Sequence, residues 1–406
     1  MKFVWRWTAF SIVVFCVLSF VNCSNPESES PRSTPETQGT LPLEVKSLSF
    51  PGVGSGGIFD PSVTRDPSTG KLWMSYSTVD NSVLWPTQNP ISVHIRLASS
   101  SDNGETWVDA GAVNQFKDVD LSFLPPPLNA GTWVHETSSL IFDPAAAANQ
   151  KWKLIWQTVL KINGTLYFEH SWLSYKSGSS PQELLNAATT KLMTSYLYDV
   201  NNSNPASPTL PPLTTIASIR ADTEISSTLN KCIIAEPSFY ATAGFLYLAL
   251  QCEKFNSVSD ITDRDRWVVL LKCASPCNVT NAASWIFVNK IFSKSDSAAV
   301  DPKFNGFAAP AIAETATGVY LLVTPTEDAQ ANYRGCRVYK FSDLSTGQIE
   351  TENGSPKLFA STGPTSTTFN GACAYIGGSV SGILRSHLGQ DNPPWDFRVL
   401  LTRITF

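Results

Sequence analysis

The sequence predicts an all-β fold, a single-domain β-propeller of five four-stranded blades, on three observations. Twelve Trp, 27 Pro and 23 Gly favour many short strands and turns over long helices. A unit of strand, polar or Gly-containing turn and second strand recurs five times from residue 43 onward. After each copy comes a third stretch of strand character, and a recurrent unit of about four strands is the mark of propeller blades. The uneven spacing leaves six blades open, and a double β-sandwich is the alternative architecture.

Taken in order, the chain begins with Lys2 and Arg6 ahead of an apolar run from Trp7 to Val21, then Asn22-Cys23-Ser24. A positive start, a short apolar centre and a polar close form an export leader, 1–22, too short to read as a spanning helix. The run Leu18-Ser19-Phe20-Val21-Asn22-Cys23 resembles a bacterial lipoprotein signal, in which the Cys becomes the lipid-modified first residue. It departs from the usual pattern at Phe20 and Asn22; plain secretion and an uncleaved anchor are the alternatives. Residues 23–42 are polar, Pro-rich and nearly free of apolar side chains, and read as a disordered tether. The folded domain then spans 43–406, outside the cytoplasm on the cell envelope.

Its first unit pairs 58–64 with 71–77, the second 134–142 with 152–157, the third 234–240 with 245–250 and the fourth 308–313 with 319–323. The fifth and weakest pairs 371–376 with 380–385. Third strands follow at 93–98, 168–175, 267–273, 336–341 and 397–402. The last of these ends the chain, so 43–50 is expected to supply the fifth blade's outer strand and close the ring. An insertion at about 178–230 holds one short helix within 181–192 and a long Asn- and Pro-rich loop.

Between the third and fourth strands of the first blade lies Ser100-Ser101-Asp102-Asn103-Gly104-Glu105-Thr106-Trp107. Its short polar side chains bond nearby backbone, Gly104 tolerates positive φ, and Trp107 packs between sheets. Ser100, Asp102, Gly104, Thr106 and Trp107 resemble the Asp box of sialidases and related propellers. The resemblance implies a blade turn on the rim and assigns no chemistry to it.

In a propeller the inner strands line the channel, so matched positions at their starts converge. Those positions read Asp60, His135-Glu136, Glu236, Ala309-Pro310 and Ala372-Cys373. Phe59-Asp60-Pro61 resembles the opening motif of five-bladed propeller glycosidases, and Ala235-Glu236-Pro237 the acid-bearing motif of the invertase type. The resemblance implies that Asp60 is base or nucleophile and Glu236 the general acid, with Glu136 helping to set their pKa values. The second invertase-type motif, Arg-Asp-Pro, is replaced by His135-Glu136-Thr137, and the fourth blade lacks the acid of the arabinanase type. Two carboxyls in unlike environments suit glycoside hydrolysis. Trp133 and His135 are the candidates to contact a sugar, and Arg96 or Arg385 to bind an acidic one. Against this, Asp-Pro and Glu-Pro also punctuate strands, so a non-catalytic lectin or interaction propeller is the second reading. A sialidase is the third; it needs an Arg triad, for which Arg334, Arg337 and Arg385 are available, and a Tyr–Glu pair, for which Tyr375 and Glu236 are.

Six Cys of the domain, Cys232, Cys252, Cys273, Cys277, Cys336 and Cys373, suit disulfides in an exported chain. A hairpin turning near residue 242 would set Cys232 opposite Cys252. No metal-ligand spacing is present; no cofactor is expected, although a central calcium ion stays open. The net charge of −5 argues against nucleic acid. The expected partner of this monomer is a glycan, with the membrane met only through a lipid.

Overall fold

The computed structural model describes residues 45–48, 50, 57–80, 92–114, 132–162, 165–194, 232–255, 264–327, 332–362, 370–378, 381–388 and 397–404. The leader, the tether and Cys23 lie outside these residues, as does 195–230 of the insertion.

The protein is a five-bladed β-propeller of antiparallel four-stranded blades. Blade one is Ile58–Arg65, Leu72–Asp80, Ser92–Ser100 and Val108–Ala112; blade two is Thr132–Phe142, Trp152–Ile162, Thr165–Gly178 and Thr190–Thr194. Blade three is Cys232–Ala241, Phe245–Phe255, Arg264–Ala274 and Trp285–Phe292; blade four is Phe304–Thr315, Gly318–Glu327, Cys336–Asp343 and Leu358–Thr362. Blade five is Asn370–Ile376, Gly382–Leu388, Phe397–Arg403 and, from the other end of the chain, Val45–Ser47. That last strand pairs Val45 with Thr402 and Ser47 with Leu400, closing the ring as expected.

One apolar core fills each of the five gaps between neighbouring blades. Middle strands are therefore covered on both faces, which is why Val268-Val269-Leu270-Leu271 is continuously apolar and continuously buried. Each fully buried large apolar side chain contributes roughly 1.5–3 kcal/mol, against about 0.5–1.5 kcal/mol for a net hydrogen bond. The blade faces hold the ring, and hydrogen bonds set its register.

The 178–230 stretch begins with regular structure. Ser180 caps the helix Pro181–Asn186 by accepting from Glu183 N at 3.3 Å, Pro181 opens the first turn, and Leu184 packs between blades one and two. Thr190–Thr194 follows as the outer strand of blade two.

The Ser100–Trp107 turn closes on its own side chains. Gly104 N donates to Ser100 Oγ (2.8 Å), Thr106 N to Asp102 Oδ1 (2.9 Å) and Trp107 Nε1 to Gly104 O (3.0 Å). Bonds from the Thr106 hydroxyl and amide hold the Asp102 carboxyl well below its ordinary pKa. Gly104 has φ +95, and a Cβ there would lie 2.6 Å from Ile376 Cδ1 of blade five, so only glycine fits.

Cys273–Cys277 and Cys336–Cys373 are disulfides, the second joining blade four to blade five, and Cys252 is disulfide-bonded as well. The hairpin register corrects one expectation: Cys232 lies opposite Lys254 and Cys252 opposite Ile234. The two cysteines are thus offset by two residues along the ladder, because the hairpin closes tightly at 243–244, with Thr242 N donating to Phe245 O (2.8 Å), beyond the turn anticipated near 242.

Candidate functional site

Every inner strand carries a left-handed, non-glycine residue in its first half or at its middle: Asp60 (φ 51), Thr137 (φ 49), Glu236 (φ 52), Ala309 (φ 45) and Ala372 (φ 49). Each sits where the pairing with the second strand skips register. Such backbone costs on the order of 1–3 kcal/mol per residue unless its surroundings impose it. In blades one, three and four the next residue is proline, which brings no N–H for the bulge to orphan.

A belt of hydrogen bonds imposes the geometry. The amide of each left-handed residue donates to a side chain of the preceding blade: Asp60 N to Ser386 Oγ (2.7 Å), Thr137 N to Ser77 Oγ (3.1 Å), Glu236 N to Gln157 Oε1 (3.3 Å) and Ala372 N to Thr324 Oγ1 (2.9 Å). These four acceptors share one register position on the second strands, and its fifth occupant is Gln251, opposite Ala235. Gln251 instead donates to Glu253 Oε1 at 3.2 Å. Ala309 N turns to Glu236 Oε2, at 2.5 Å. One of the two ring acids therefore stands in for a structural amide.

The ring encloses a cavity of about 40 Å³, lined from all five blades and including Asp60, Thr137 and Glu236. Asp60 Oδ2 accepts from Ser77 Oγ (3.1 Å) and Thr137 N (3.3 Å), whereas its buried Oδ1 accepts no hydrogen bond from the described residues. Burial, and then the charge of Glu236, push the Asp60 carboxyl up to about 7, against the opposing bonds from Ser77 and Thr137. Glu236 Oε1 accepts the hydroxyl of Tyr333, which is itself buried. Burial raises Glu236 to about 7 as well, opposed by the bonds from Tyr333 and Ala309 N; Glu253 adds to the rise and Arg266 resists it. Behind this pair, Arg266 donates to Glu253 Oε1 (2.6 Å) and to Asn305 Oδ1 (3.2 Å). Gly306 leaves the room for it, since a Cβ there would lie 2.3 Å from Arg266 Cβ.

The structure thus brings Asp60 and Glu236 together and moves the other candidates away. In blade two the ring position belongs to Thr137; Glu136, one residue earlier, is fully buried and does not line the cavity. His135 accepts Trp156 Nε1–H on Nδ1 (3.2 Å) and lies 3.1 Å from Thr158 Oγ1. Burial drives its pKa down to about 3, so it stays neutral and is a core residue. Trp133 is wholly buried with its ring edge-on to Trp172 (4.1 Å), and no sugar can stack on it. Arg96 lies on the third strand, bound through Nε (3.0 Å) and Nη2 (2.5 Å) to Asp109. Arg385 is buried on the second strand of blade five, donating to Asn370 Oδ1. The sialidase set does not assemble as expected either. Tyr375 bonds Ser381 Oγ (2.8 Å), Arg334 pairs with Glu327 (2.5 Å), Arg337 donates to Cys336 O (3.1 Å), and the tyrosine on Glu236 is Tyr333.

Tyr333 and Arg266 escaped the sequence reading. Tyr333 lies between the second and third strands of blade four, outside the repeat, and Arg266 at the opening of a third strand whose apolar run follows it. Among the described residues no group of three or more His, Cys, Asp or Glu stands together as a metal-ligand set.

No family model matches the sequence, and no curated protein does. Solved structures similar to the chain include the GH32 β-fructofuranosidase of Bombyx mori, at 11% identity and TM-score 0.49, covering 88% of this chain and 61% of that one. A GH43_12 protein retrieved from a capybara gut metagenome shows 10% identity and TM-score 0.49, with 90% and 54% covered. A family 117 glycoside hydrolase of the marine bacterium Zobellia galactanivorans shows 11% identity and TM-score 0.48, with 88% and 89% covered. The chain spans about three fifths of the length of the Bombyx mori enzyme.

Proposed function

We propose that this propeller hydrolyses glycosidic bonds at the ring, with Asp60 as base or nucleophile and Glu236 as the acid. One observation carries the reading: two buried carboxyls on blades one and three face one cavity and both sit at about 7. At neutral pH such a pair is readily held with one proton between them. Glu236 gives its proton to the leaving oxygen, while Asp60 takes one from the attacking water or attacks the anomeric carbon itself. Of the two, Asp60 is the one that keeps a carboxylate oxygen clear of donors among the described residues, which suits it to the second role. We further propose a location outside the cytoplasm, with Cys23 as a lipid-modified anchor. The leader and tether composition and the disulfides of the domain support that placement.

A glycoside panel tests the chemistry, with Asp60→Asn and Glu236→Gln as controls. The expected result is turnover by the native chain and a loss of at least about 100-fold in each variant. Equal turnover in all three removes both residues from the mechanism. The lectin reading is favoured by one specific observation, that both Glu236 oxygens are already taken by protein donors. Under it, Glu236→Gln binds glycan as the native chain does, and no glycoside is turned over.

A further inference from the structure

We propose that the propeller axis is a water channel that reaches Asp60 Oδ1 from the face opposite the starts of the inner strands. Beyond the ring lies a second cavity of about 400 Å³, formed by the far ends of the inner strands of all five blades. Ser62, Ser139, Ser238, Ala311 and Ala374 line both this cavity and the ring cavity, so the two spaces meet at one layer. Each of these residues lies two places after the left-handed residue of its blade, and none is larger than serine.

One place further on, Val63, Leu140, Phe239, Ile312 and Tyr375 are large enough to fill the axis. Each borders the wide cavity and packs against a different one of the five inter-blade cores. Two of the serines are fixed in place: Ser62 Oγ accepts from Leu140 N (3.0 Å) and Ser139 Oγ from Phe239 N (2.9 Å). The axis is therefore kept open by the same interlocking that builds the cores.

At the inner end of this passage stands Asp60, which lines the ring cavity and whose Oδ1, covered as the carboxyl stands, has no donor among the described residues. A buried acceptor of this kind is normally satisfied by protein or by water. The ring cavity exceeds the ~10–15 Å³ that a water needs, and it offers polar neighbours in Thr137 and the serines. The inference rests on the reading of Asp60 as the reacting carboxyl and supplies its proton route. After Asp60 takes a proton from the attacking water, it returns that proton to channel water as hydronium and is ionised again.

The test needs no substrate. Asp60→Cys in the full chain is treated with methyl methanethiosulfonate, and modification at position 60 is followed by peptide mass mapping. The same is done with Ala311→Leu added, and with Ala311→Ser added. The leucine, which narrows the shared layer, is expected to slow modification tenfold or more, and the serine to leave it unchanged. Equal rates in all three chains overturn the proposal. If Asp60→Cys does not fold, a crystal structure of the unaltered chain decides: ordered water from the wide cavity to Asp60 Oδ1 upholds the channel, and a metal ion or a solvent-free gap there overturns it. Both readouts stand whether or not any glycoside is cleaved, so failure of the catalytic reading and failure of the channel are told apart.

Discussion

Blades one and three differ from blades four and five at a single kind of position. All four carry a left-handed residue at the same bulge, with φ between 45 and 52, yet the first two place Asp60 and Glu236 there and the others Ala309 and Ala372. The backbone is a property of the ring, since it recurs whether the side chain is an acid or a methyl. Chemistry is then a choice made on a prepared site. It is also a local one, because blade three takes its belt acceptor from Glu236 itself, whereas the other four pairs of blades use a second-strand side chain.

The sharpest way to break this comparison is to exchange the acids for their amides. Asp60→Asn and Glu236→Gln are each expected to lower turnover by about 10²–10⁴-fold, measured on whichever glycoside the native chain accepts. Next in size is the response of stability to pH. Both carboxyls sit at about 7 in the fold, above ordinary values of 3.8 and 4.5. The folded state therefore holds protons that the unfolded chain has released, and their contribution is complete below about pH 4. It is lost as pH rises through 7, on the order of a few kcal/mol in all. Urea unfolding should show stability falling from pH 5 to pH 8, and Asp60→Asn should flatten that slope; an unchanged slope would mean that Asp60 ionises normally.

Smaller effects separate the belt from the chemistry. Glu236→Gln keeps an acceptor for Ala309 N, whereas Glu236→Ala leaves that amide buried and unpaired. The alanine variant should be less stable than the glutamine one by about 1–3 kcal/mol, read from denaturant midpoints. Tyr333→Phe removes a bond that favours the ionised carboxylate, so the Glu236 limb of the pH–rate profile should move up from about 7. Ala372→Gly should change stability least, within about 1 kcal/mol, because relief of the left-handed strain is offset by the greater freedom of glycine when unfolded.

Architecture was legible because blade strands are apolar on both faces and recur. The closing strand was inferred from counting, and Asp60 and Glu236 from matched positions on the inner strands and the motifs Phe59-Asp60-Pro61 and Ala235-Glu236-Pro237. Blade two was misread by one or two residues, at His135-Glu136 in place of Thr137, because its bulge carries Ser138 where a proline would mark it. Trp133, Arg96 and Arg385 have the right side chains for a sugar site, but Trp172, Asp109 and Asn370 already occupy them. Partners such as these come from other strands, and no local pattern announces them. Tyr333 shows the converse: a residue outside the repeat reaches the ring because the two-residue strand Asn332–Tyr333 pairs with the end of the second strand of blade four, Tyr333 opposite Thr326.

The closure of the ring has a mechanical consequence. Blade five is completed by a three-residue strand, Val45–Ser47, whose pairing with Leu400–Thr402 is the seam between the two ends of the chain. Val45 lies at the same end of the propeller as Arg403, which reaches Glu105 of the Ser100–Trp107 turn at 3.6 Å. Tension applied to the chain ahead of Val45 would be delivered first to this seam. Pulled along the strand, the three ladder pairs would share the load in shear; pulled outward, they would open one at a time, so blade five is where the ring is expected to part first.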